Sequence, residues 1–150
     1  MKLAEALSER SDVRRRISQL ESRLQTNAKV QEGEKPAEDP KKLVQELNGL
    51  IVRLEELITR INLTNAATTD GGESLTALLA RRDCLAVKIN ALRSFLDAAS
   101  ATATRGMRSE IKILSAVNVA EYQKKLDDLS GELRQLDVRI QALNWTTELQ

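Results

Sequence analysis

The 150-residue chain contains no histidine. That removes the side chain most used as general base near neutral pH, as metal ligand and as pH switch. It has a single cysteine, Cys84, which excludes an internal disulfide and a cysteine-based metal site. Such usage suits a reducing cytoplasm. Aromatic residues are 2% of the chain, so any core is aliphatic. Neither charge sign dominates: 23 basic against 22 acidic side chains leave a net charge of +1. A dedicated nucleic-acid binder carries a clear basic excess, so that class has no strong signal. No apolar run reaches the length of a bilayer crossing, which excludes a transmembrane segment. The start, Met1-Lys2-Leu3-Ala4-Glu5, enters an amphipathic pattern where a signal peptide would be apolar. Asn62-Leu63-Thr64 and Asn144-Trp145-Thr146 match the glycosylation sequon, and without an export signal chance accounts for both.

What is present is heptad patterning. Val119, Tyr122, Leu126, Leu129, Leu133, Leu136, Ile140 and Leu143 alternate spacings of three and four. A helix with one narrow apolar stripe cannot bury it alone and needs partner helices. The same demand recurs along the chain. A first helix over about Lys2–Thr26 carries Leu3, Ala6, Val13, Ile17, Leu20 and Leu24 on one face, with Arg10 interrupting the stripe. Asp39-Pro40 is a helix start: Asp39 can cap the free amides and Pro40 sits at the first helical position. The second helix carries Leu43, Leu47, Leu50, Leu54, Leu57 and Ile61, with Val44, Ile51 and Ile58 as a third row. This widest apolar face predicts the most buried helix. It passes into a Thr- and Asn-rich run, Asn62 to Thr69, and a turn at Asp70-Gly71-Gly72. A third helix over about Leu75–Ala101 shows Leu75, Leu78, Leu79, Leu85, Ile89, Leu92, Phe95 and Leu96. Cys84 beside that face reads as a small, partly buried residue.

Two connections alternate like short strands: Ala28–Glu32 in the first and Glu110–Leu114 in the third. In an up-down-up-down arrangement those connections share one end, so the two segments are expected to pair there. The opposite end would collect Met1, the Asn62–Gly72 region and the tail at Trp145. The expected fold class is mainly α: four long heptad-patterned helices forming an antiparallel coiled-coil bundle or hairpins, with a small two-stranded β element at one end. One helical domain would span residues 1–150. The broad faces of the second and third helices fit either arrangement, and exposed strand edges in the two long connections point to a homo-oligomer.

No catalytic constellation is visible, and neither a cofactor nor a metal is implied. Glu46, Glu55 and Glu56 fall on outward positions and read as solvated surface, since a carboxylate di-metal bundle also needs histidines. Gly71-Gly72 lacks the lysine of a phosphate loop. The anion-binding candidates are Arg105 and Arg108, flanking Gly106, with Lys112 and Lys29 at the same expected end. Pairing of the arginines with Glu32, Glu34 or Glu110 is the alternative. Trp145 is the partner-contact candidate; covering the bundle end is its other reading.

Four motifs carry a resemblance. Asn27-Ala28-Lys29-Val30-Gln31-Glu32-Gly33-Glu34, Ile61-Asn62-Leu63-Thr64-Asn65-Ala66, Arg108-Ser109-Glu110-Ile111-Lys112 and Leu143-Asn144-Trp145-Thr146-Thr147-Glu148-Leu149 fall in order along the chain. Together they resemble a small bacterial family of unknown function, some of whose members are labelled septicolysin. The resemblance implies a bacterial, helical, self-associating protein and carries over no catalytic residue. Three functions follow, in order. The first is a non-enzymatic structural or interaction protein acting through coiled-coil self-assembly and partner contacts. The second is a polyanion or nucleic-acid binding module using the loop around Arg105 and Arg108. The third is a membrane-active, septicolysin-like protein.

Overall fold

Helix α1 spans Leu3–Thr26 and α2 spans Pro40–Ala67 in a computed structural model that describes residues 1–101 and 111–150. A two-stranded antiparallel sheet follows, β1 Thr69–Asp70 and β2 Glu73–Ser74, then α3 Leu75–Ser100 and α4 Val119–Thr146. Among the described residues the fold is therefore four long helices and one small sheet. The chain divides into two compact units, Met1–Ser74 with Leu143–Gln150, and Leu75–Ala142.

The first unit is built on the α1–α2 hairpin. Leu3, Ala6, Val13 and Leu20 of α1 and Leu43, Leu50, Leu57 and Ile61 of α2 are buried, most of them one heptad apart along a single stripe of each helix. Arg10 occupies the gap in the α1 stripe and is half-buried. Ion pairs line the outside of this antiparallel hairpin. The Arg53 guanidinium donates to both Glu9 carboxylate oxygens, at 2.7 and 2.8 Å, and Arg23 reaches Glu38 and Glu46 nearer the connection. The start of α2 is as expected: Asp39 Oδ1 accepts from the Lys41 amide at 3.0 Å, and Pro40 is the first helical residue. The third row of α2 differs from expectation. Ile58 is half-buried but Val44 and Ile51 are each 45% exposed, because a hairpin consumes only the central stripe of a helix. Helix α2 also runs on through the Thr- and Asn-rich stretch to Ala67. There the Thr64 hydroxyl donates to the Arg60 carbonyl at 2.8 Å and accepts from the Gln150 amide at 3.0 Å.

That last bond belongs to a clasp. Lys2 and Glu148 form an antiparallel bridge, with Leu3 N–H donating to the Thr147 carbonyl at 2.9 Å and Leu149 N–H to the Met1 carbonyl at 2.8 Å. Arg60 Nε donates to the Gln150 carbonyl at 2.6 Å, and Leu149 is buried. Met1, the end of α2 and the tail thus gather at one end of the unit, as up-down alternation predicts.

The strand pair lies elsewhere than expected. It is the hairpin around Gly71 and Gly72, whose φ values of 60° and 84° fit a two-residue loop of the left-handed kind that matches strand twist. Ala28–Glu32 is irregular: the Glu34 amide donates to the Gln31 carbonyl at 3.0 Å, and Gly33 at φ 83° turns the chain. Ile111–Leu114 is irregular too, and Glu110 lies outside the described residues. A local turn with both glycines in place needs no long-range closure, whereas the expected ribbon joined segments some 80 residues apart.

In the second unit α3 and α4 run antiparallel around Ile89, Leu96 and Leu126, flanked by Leu85, Leu92, Val119, Tyr122, Leu129 and Leu133. Phe95 and Tyr122 meet edge to face, with centroids 5.4 Å apart, and Lys125 Nζ lies 4.7 Å over the Tyr122 ring. Asn118 Oδ1 accepts from the Glu121 amide at 3.2 Å and starts α4. Cys84, expected to be partly buried, is exposed, because its position points past the α3 stripe.

Candidate functional site

Charge on the first unit is used locally. Hydrogen bonds from Arg53 hold the Glu9 and Glu56 carboxyls below the usual carboxylate range. Arg23 does the same for Glu38, and Lys2 with the terminal amine does so for Glu148. Arg53, held between two carboxylates, is raised. Glu46 and Glu56 face arginines on the surface, and Glu55 is an exposed carboxylate. Among the described residues no group of three or more acidic or cysteine side chains is arranged to hold a metal ion.

Of the anion-binding candidates, Lys29 and Lys112 are both exposed. Lys29 lines a hollow of about 480 Å³ in the first unit with Asn27, Val30 and Pro36. Lys112 stands ahead of α4 in the second unit, so the two are placed on different units. Arg105 and Arg108 lie outside the described residues. Trp145 is inside the last turn of α4 and is 64% exposed.

The feature the sequence reading missed is the groove between α3 and α4. It holds two hollows. The first, about 280 Å³, is lined by Arg81 and Leu85 of α3 and Glu132, Gln135, Leu136 and Arg139 of α4. The second, about 370 Å³, is lined by Lys88 and Leu92 of α3 and Tyr122, Lys125, Asp128 and Leu129 of α4. Its floor is leucine and its rim carries four basic and two acidic side chains. The signal was present as rows at helical spacing, Arg81-Leu85-Lys88-Leu92 and Lys125-Leu129-Glu132-Leu136-Arg139. Each alternates a leucine with a charge, the pattern of an apolar floor with charged walls. No helix among the described residues is long and apolar enough to cross a membrane.

The model of a family described as "Family of unknown function (DUF6847)" matches residues 10–149. No curated protein matches the chain. Among solved structures, the chain is similar to the crystal structure of a functionally unknown conserved protein from Corynebacterium diphtheriae. The two are 44% identical, 100% of this chain and 99% of that one are covered, and the TM-score is 0.93.

Proposed function

The chain belongs to this family of unknown function, and on that premise we propose that it is a structural and interaction protein that works by self-assembly and partner contacts rather than by turnover. The observation carrying this reading is the outer row of α2. Val44 and Ile51 stand one heptad apart, each 45% exposed, on a helix whose inner stripe is already consumed by α1. Apolar residues held in register on a rigid helix are what coiled-coil partners recognise. The exposed thiol of Cys84 suits a reducing compartment, where it stays unpaired.

Light scattering over a range of concentrations tests the reading. The expected result is a defined mass of two or more chains. A single-chain mass at every concentration would overturn self-assembly.

A further inference from the structure

Resting on that reading, we infer that the groove between α3 and α4 seats helix α2 of a second copy, with Ile51 and Val44 entering its two hollows. Spacing is the first ground. Leu85 and Leu92 on one wall, and Leu136 and Leu129 on the other, set the hollows one heptad apart, about 10.5 Å along the helices. Val44 and Ile51 are also seven residues apart, so they too stand about 10.5 Å apart along α2. One straight helix therefore engages both hollows at once, as knobs in neighbouring holes.

Charge selects the direction. With Ile51 in the hollow of Leu85 and Leu136, Glu55 lies one turn further on. Arg81, one turn before Leu85, and Arg139, three residues after Leu136, lie at that same end because α3 and α4 are antiparallel. The Glu55 carboxylate then approaches a hollow whose lining, two arginines against Glu132, is net positive. The reverse direction sets Lys41 against those arginines and leaves Glu55 only Lys125. The like-charge pair that the chosen direction leaves, Lys41 with Lys125, involves an ammonium already placed over the Tyr122 ring. The guest face and the seat are different surfaces, so the contact is heterologous. Two copies exchanging α2 faces close a dimer, and otherwise the contact propagates to a ring or chain.

The test uses the full chain and two double variants at exposed positions. Val44→Lys with Ile51→Lys removes the guest face. Lys88→Trp with Gln135→Trp fills the seat. Circular dichroism verifies helicity. Each variant alone is expected to fall to the single-chain mass, and an equimolar mixture to return to twice that mass, because each supplies the half the other lacks. Glu55→Arg, milder than either, is expected to weaken association at least threefold, with recovery on mixing with Arg139→Glu. A wild-type chain that is monomeric overturns both self-assembly and this seat. A wild-type oligomer whose mass neither double variant changes leaves self-assembly standing and overturns the seat. Single-chain variants that do not recombine overturn the pairing of α2 with the groove.

Discussion

Two buried polar side chains, Asn27 and Thr64, each close a helix and reach a distant piece of chain. Asn27 Nδ2 donates to the Arg23 carbonyl at 2.8 Å while its Oδ1 accepts from the Glu38 amide at 2.9 Å. Thr64 closes α2 and receives the tail. Replacing Thr64 by Val keeps the shape, removes both bonds and leaves the Gln150 amide of a part-buried contact without its partner. The expected cost is about 1 kcal/mol by denaturant unfolding. The carboxylates make a different prediction. Glu9, Glu38, Glu56 and Glu148 are all lowered by their cationic partners. The unfolded chain therefore binds more protons than the folded one in acid, so stability rises with pH there. It is fully present above the ordinary carboxyl value of 4.5 and is lost as pH falls below it through the lowered values. With no histidine, thermal melting should be flat from about pH 6 to 8 and drop below about pH 4.5. The positions of these side chains were readable as helix ends and outward faces. Their partners, eleven residues away for Asn27 and 86 for Thr64, were not, because hydrogen bonding between distant segments leaves no period in a sequence.

At the scale of elements, the two rows of α2 should separate cleanly. Leu57 is fully buried, and Leu57→Ala should cost about 2–5 kcal/mol. Ile51→Ser, on the exposed row, should cost under about 1 kcal/mol while weakening association. Asp39→Ala removes a cap that the structure shows in place and should cost about 1 kcal/mol, read by chemical denaturation. Helix existence and phase were legible because apolar spacing of three and four survives any arrangement of partners. The strand pair was misplaced because alternation over five residues is a weak signal. Two adjacent glycines with positive φ outweigh it by forming the turn locally. The width of a helix's apolar face was legible as well, yet how much of it becomes buried depends on the number of helices packed against it.

For the whole molecule, the division into two units predicts how the clasp acts. Deleting Thr147–Gln150 removes the bridge to Lys2, the bond to Thr64 and the burial of Leu149. Hydrogen exchange should rise first at the ends of α1 and α2 that the clasp holds, before exchange changes at Ile89 or Leu126. The groove between α3 and α4 belongs to this scale. Its leucines and charges are visible as two separate rows, but a hollow exists only where two rows face each other across a gap.

The sequence by itself determined an aliphatic, four-helix, histidine-free chain with a capped start at Asp39 and a glycine turn at Gly71-Gly72. These follow from composition, period and local backbone preference, which act over a few residues. The tertiary structure alone decided that Val44 and Ile51 remain outside, that the tail bonds to Thr64, and that Leu85, Leu92, Leu129 and Leu136 line one groove. Those outcomes depend on which stripes meet across space, and a stripe carries no record of its partner.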